Sequence, residues 1–224
     1  MQQSRIVEDA IMLELKNATQ SLHDDTEAGH FNKELVMGRI PLEGYIESLA
    51  QLFLIHRALE THLARIRTDN PAIRAVVQDY QLQEPYLRAD LDFFGRNPEA
   101  AIPTASVAEF LAHINRLAVD CPISLLGMHY VFEGSNNGSK YISNALRRAY
   151  SLEGNNGLNY FDPYGDKQRE YWQAFKSDMA LQTFNPNERK AMVDAARATF
   201  AAVKRLHEEL FERFGTPISQ AAVI

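Results

Sequence analysis

One cysteine, one tryptophan and nine prolines stand in 224 residues. Nowhere do about 18 uncharged apolar residues run together, the length a membrane helix needs. A lone thiol, Cys121, closes no internal disulfide and builds no cysteine metal cage, which suits a reducing compartment. The opening Met1-Gln2-Gln3-Ser4-Arg5 lacks the apolar stretch of a signal peptide. The expectation is a cytoplasmic protein without membrane insertion. Positive charge is also short: 23 Lys and Arg face 29 Asp and Glu, a net charge of −6. The basic residues are scattered, so no stripe exists to replace counterions on a phosphate backbone, and nucleic acid is not an expected partner.

Alternating apolar runs joined by tight turns are missing too, whereas apolar residues recur at three and four, so the fold class is all-α. The clearest stripe is Tyr45, Leu49, Leu52, Phe53, His56, Leu59 and Leu63, opened by Pro41. Another is Val193, Ala196, Phe200, Val203, Leu210 and Phe214, stopped by Gly215 and Pro217. Further helices are expected over about Ser4–Ala28, Phe31–Met37, Ile73–Phe94, Val107–Val119 and Lys167–Leu181, with breakers at Gly38, Pro71, Pro98 and Pro103. The segment Pro122–Leu152 is expected to be the longest helix, although it carries Gly134 and Gly138, each costing about 1 kcal/mol against Ala. Residues 153–159 read as a loop. With no repeat or composition shift, a single helical domain over 1–214 and a loose tail over 215–224 are expected.

Familiar chemistry motifs fail on spacing. The Gly134-to-Lys140 string lacks the spacing and the preceding strand of a phosphate loop. A carboxylate di-iron bundle wants two Glu-x-x-His pairs, and only Glu27 and His30 qualify. No two of the seven histidines stand four apart. Three local features remain. His23 shares one face of the first helix with Lys16 and Glu27, offering an imidazole between a base and an acid, although a lone helical histidine is commonly a surface or satisfied core residue. His56 interrupts an apolar stripe, where a hydrogen-bonded core histidine is the plainer reading. Gly134 and Gly138 bare the backbone along one helix turn, which serves close helix packing, a loop, or a flat ligand lying on that backbone.

Taken together, these pieces resemble the heme oxygenase family, its bacterial iron-acquisition members above all. Leu15-Lys16-Asn17-Ala18-Thr19 and Leu22-His23-Asp24-Asp25-Thr26-Glu27 are similar to the proximal helix. Leu52-Phe53-Leu54-Ile55-His56-Arg57-Ala58-Leu59-Glu60 is similar to the second core helix. Tyr130-Val131-Phe132-Glu133-Gly134-Ser135-Asn136-Asn137-Gly138-Ser139 looks like the kinked distal helix. Order and spacing hold from about residue 10 to 214. Ser139 departs from the glycine or alanine common there, and Asn137 from an apolar or small residue.

The resemblance implies heme as substrate and cofactor, with His23 as the iron ligand and Glu27 tuning it. Gly134 and Gly138 would let the distal backbone lie against the porphyrin. A water chain on the Gly134 carbonyl, Asn136 and His56 would deliver protons. Lys16 and Tyr130, with Lys176 as a further candidate, fall where the propionates are met, Phe200 on the pocket wall, and Ser135 among the heme contacts. The implied products are biliverdin, carbon monoxide and ferrous iron, from O2 and electrons of an external reductase or ferredoxin, in a monomer. α-meso selectivity is expected from the Lys16 and Tyr130 pair. The competing readings are a heme-binding or heme-trafficking protein on the same fold without turnover, and a non-heme oxidase on a related bundle.

Overall fold

Prolines and capping side chains decide where the helices begin. Asn70 accepts the Ile73 N–H at 3.0 Å just before Pro71. Asn185 accepts from Asn187 and Glu188 while the Glu188 side chain accepts the Asn185 N–H, a reciprocal cap before Pro186. In the computed structural model, which describes residues 10–215, nine α-helices and no strand occur among the described residues. They are α1 (Ala10–Glu27), α2 (His30–Val36), α3 (Leu42–Ile66), α4 (Pro71–Val76), α5 (Glu84–Phe93), α6 (Ala105–Asp120), α7 (Leu125–Ala149), α8 (Gln168–Ala180) and α9 (Pro186–Phe214). Ser4, Pro217 and most of the expected tail lie outside the described residues.

The all-α expectation holds, with two corrections. The longest helix is α9, at 29 residues, while α7 has 25. The single helix expected over 73–94 is split into α4, a 3₁₀ turn Asp79–Gln81, and α5. It breaks because Gln78 gives its N–H to the Gln81 side chain and Gln83 gives its N–H to Glu60 of α3, so these amides leave the helical ladder for partners of their own.

Helix α9 runs along both α1 and α7, and α3 packs between α5 and α6. The approach of α7 to α9 requires glycine at one place, since a Cβ on Gly127 would strike the Met192 carbonyl. Apolar side chains from all these helices, such as Leu15, Phe53, Leu126, Phe175 and Leu206, join in one continuous buried cluster. The linker from α7 to α8 is pinned by Asp90 of α5, which accepts the Asn159 N–H at 2.8 Å, Asn159 Nδ2 at 2.7 Å and the Tyr160 N–H at 2.9 Å. Those bonds hold Tyr160 over α3 and offset much of the cost of burying a carboxylate.

Candidate functional site: a helical histidine and a glycine stripe

On α1, His23 is partly exposed, between two carboxylates. Nδ1 lies 3.4 Å from Asp24 Oδ1 and Nε2 lies 3.4 Å from Glu27 Oε1. Both contacts sit at the limit of a hydrogen bond, so either nitrogen is available to a ligand once its carboxylate turns aside. A half-turn of the ring exchanges the two. Phe200 of α9 meets the imidazole edge-on, with ring centroids 6.0 Å apart. Lys16, two turns earlier, is exposed.

Helix α7 has two working faces, because residues four apart share a stripe. Tyr130, Gly134 and Gly138 form the first. A Cβ at 138 would meet nothing within 4 Å, and one at 134 only the Trp172 ring of α8, at 3.6 Å. Trp172 also lies near Tyr130 (6.0 Å) and stacks on Phe175 (5.4 Å). Burial pushes the Tyr130 hydroxyl up from its ordinary pKa, with the Thr19 hydroxyl of α1 acting in the opposite sense, so α1 and α7 meet at this edge. The helix passes through both glycines without interruption. Asn137 and Ser139 take part in this: Asn137 Nδ2 donates to the Gly134 carbonyl at 2.9 Å and the Ser139 hydroxyl to the Ser135 carbonyl at 3.0 Å. Such back-bonding to the preceding turn bends helices slightly. Ser135 is exposed, and its hydroxyl donates to its own helix, at Phe132.

The second face, His129, Phe132, Glu133 and Asn136, is buried. His56 of α3 packs on Phe132 with centroids 4.4 Å apart. Its Nδ1 is 2.9 Å from Glu60, and the Tyr160 hydroxyl is 3.4 Å from its Nε2. His56 is thus a hydrogen-bonded interior histidine, as its plainer reading holds, and it also packs on α7. Asn136 is 3% exposed, and its Nδ2 has no protein partner. Lys176 is half-buried on α8. Sequence reading overlooked Trp172, although it is the one tryptophan of the chain, and also Glu60, Gln83, Tyr160 and Tyr164. A surface hollow of about 510 Å³ lies elsewhere, between α1 and the start of α9 beside Glu14 and Arg189. Glu14 and Arg189 form an ion pair at its edge.

A half-exposed imidazole on one helix and bare backbone on another, each with aromatic rings beside it, stand in an all-α protein. Comparison with known proteins gives the family. The sequence profile of the heme oxygenase family matches residues 9–209. Heme oxygenase 1 of Bos taurus is 26% identical over 205 residues, covering 88% of this chain and 70% of its own. Heme oxygenase-1 of Synechocystis in complex with heme superposes with a TM-score of 0.83 at 19% identity, covering 91% of this chain and 93% of that one. Heme oxygenase-2 from the same organism, with heme and NO, gives 0.84 at 21%, covering 91% and 86%. The chain belongs to the heme oxygenase family. It is an enzyme for which heme is both cofactor and substrate, and the family reaction yields biliverdin and iron. Among the described residues no helix is long and apolar enough to cross a membrane.

Proposed function

We propose that heme lies between the His23 face of α1 and the Tyr130–Gly134–Gly138 stripe of α7, and that the protein opens it at the α-meso carbon. What supports this is an accessible imidazole on α1 and, on α7, a helix stripe on which Cβ atoms are missing, in a chain of the heme oxygenase family. Bound there, heme supplies the iron that activates O2 and the porphyrin edge that is oxidised, with electrons from an external reductase or ferredoxin.

The chain's own residues bind, orient and supply protons. His23 is the iron ligand, and Glu27 or Asp24, each within 3.4 Å of a ring nitrogen, fixes the ring through the nitrogen left free. Phe200 forms the proximal wall. Lys16 and Tyr130, near the edge where α1 meets α7, receive the propionates, with Lys176 as a further cation; charge-assisted contacts there select one seating of a nearly fourfold rim. Gly134 and Gly138 let the backbone approach the porphyrin, while Ser135 borders it. Asn136, through its free Nδ2, and His56, through Tyr160, order the distal water. The protein works as a cytoplasmic monomer and is one domain over 1–214.

Hemin followed by a reductant under air tests this reading. Loss of the Soret band with a biliverdin spectrum is expected. A stable, unmodified heme would place the chain among binding or trafficking proteins on this fold.

A further inference from the structure

Next to the proposed heme stripe, α7 joins a buried polar cluster in which Glu133, Tyr164 and Gln83 have as yet no role. Glu133 is 1% exposed and accepts the Tyr164 hydroxyl at 2.7 Å. That hydroxyl in turn accepts Gln83 Nε2 at 2.8 Å. An amide nitrogen only donates, so the one hydrogen of Tyr164 is committed to Glu133. The Gln83 N–H donates to Glu60 Oε1 at 2.7 Å and the Glu84 N–H to Glu60 Oε2 at 3.1 Å. Glu60 is therefore the acceptor toward His56 Nδ1, and the Tyr160 hydroxyl lies 3.4 Å from His56 Nε2. Donation from Gln83 through Tyr164 runs toward Glu133. At its end, Glu133 Oε2 is buried without a protein partner, and so is Asn136 Nδ2 one turn further along α7.

The titratable groups facing Glu133 are Glu60 and His56 on α3, Tyr80 on the 79–81 turn, Tyr86 on α5, Tyr160 and Tyr164 on the linker, and His129 on its own helix. No lysine or arginine is among them, and burial keeps His129 neutral, pulled down to about 3. Burial foremost, and Glu60 beside it, push Glu133 up to about 8, against the stabilising bond from Tyr164. An acid in such surroundings holds its proton because burial and the neighbouring Glu60 both disfavour a second carboxylate charge.

We propose that Glu133 is a positioning residue of the enzyme: a carboxylic acid, protonated at neutral pH, that takes the Tyr164 hydrogen at Oε1 and carries its own on Oε2, the oxygen left without a protein partner. The cluster thereby stores one exchangeable proton beside the heme-facing stripe. Release of that proton to a water molecule leaves a carboxylate held by the Tyr164 O–H, and one proton from solvent restores the acid. The storage site stands on the chain alone; its positioning role rests on the heme oxygenase reading.

Infrared spectra of the heme-free protein at pH 7 test the first part. The carbonyl stretch of a protonated carboxylic acid is expected, moving to lower frequency in D2O and absent from Glu133→Gln. It should fade as pH rises through about 8. In Tyr164→Phe it should persist to higher pH, because the bond that favours the carboxylate is gone. No such band in the folded protein, or a band unchanged in Glu133→Gln, overturns the storage site. The pH profile of turnover at fixed reductant tests the positioning role. Wild type should lose activity as pH rises past about 8, and Glu133→Gln should lose that break. A break unchanged in the variant overturns the role. Should wild type show the band yet leave heme intact, the heme-cleavage reading has failed and the positioning role falls with it, while the storage site stands.

Discussion

The indole of Trp172 rests on the backbone of Gly134, with Cη2 3.6 Å from where a Cβ at that position would lie. A porphyrin seated on the same stripe must share this space with the ring or displace it. Since the chain has one tryptophan, its indole N–H gives a single proton resonance to follow. Gallium protoporphyrin, a diamagnetic stand-in for heme, should shift that resonance strongly through its ring current. Saturating binding with an unmoved indole signal would place the porphyrin away from Gly134.

Gly138 separates stability from binding. A Cβ there meets nothing within 4 Å and the position is helical, so Gly138→Ala should stabilise the heme-free protein by about 0.5–1 kcal/mol in urea unfolding. The same methyl group projects from the proposed heme stripe, and hemin affinity should fall. Gly127→Ala behaves in the opposite way, destabilising the fold by striking the Met192 carbonyl of α9. Unchanged hemin affinity in Gly138→Ala would remove that glycine from the site.

Much of this arrangement was legible in sequence because it is local. His23 with Glu27, and Gly134 with Gly138, stand four apart on single helices, and the periodic stripes of α3 and α9 mark long helices. Partners brought together by chain closure were not legible. Tyr160 reaches His56 across 104 residues, and Tyr164 reaches Glu133 only because the linker folds back over α7. Nothing in the composition of 73–94 shows that Gln83 gives its amide to Glu60, so the break before α5 was hidden for the same reason. The side-chain bonds of Asn137 and Ser139 to the preceding turn are local, yet their sense depends on α7 continuing through the glycines.

Stability should depend on pH through His129, which is buried beside Phe175 and bonded to Gln81 at 3.0 Å. Burial pulls it down to about 3, below the 6.5 of a free imidazole. The unfolded chain therefore binds a proton that the folded one refuses, and this contribution is fully present above about 6.5 and lost as pH falls toward 3. Glu133 acts with the opposite sign between about 4.5 and 8, so the variant comparison isolates the histidine. His129→Gln should be less stable than wild type at pH 7.5, with the gap in urea midpoint narrowing steadily toward pH 5. A constant gap would contradict the neutral, buried state of His129.

The product isomer reports how heme is seated. If Lys16 and Tyr130 hold the propionates, wild type should release mainly the α isomer of biliverdin. The Lys16→Ala, Tyr130→Phe double variant should release a mixture, resolved chromatographically. Mainly β or δ product from wild type, or an unchanged ratio in the double variant, would show that other residues set the seating.

The central claim is that His23 holds the iron, and single-turnover kinetics of His23→Ala address it most directly. The variant should still take up hemin, because the apolar walls that bury the porphyrin remain. Its rate of biliverdin formation should drop by about 10-fold or more with the axial ligand gone, and added imidazole should restore part of it. Turnover by His23→Ala at the wild-type rate would contradict the account and transfer the ligand role to a neighbour such as His30, which stacks on Phe211 at 5.4 Å.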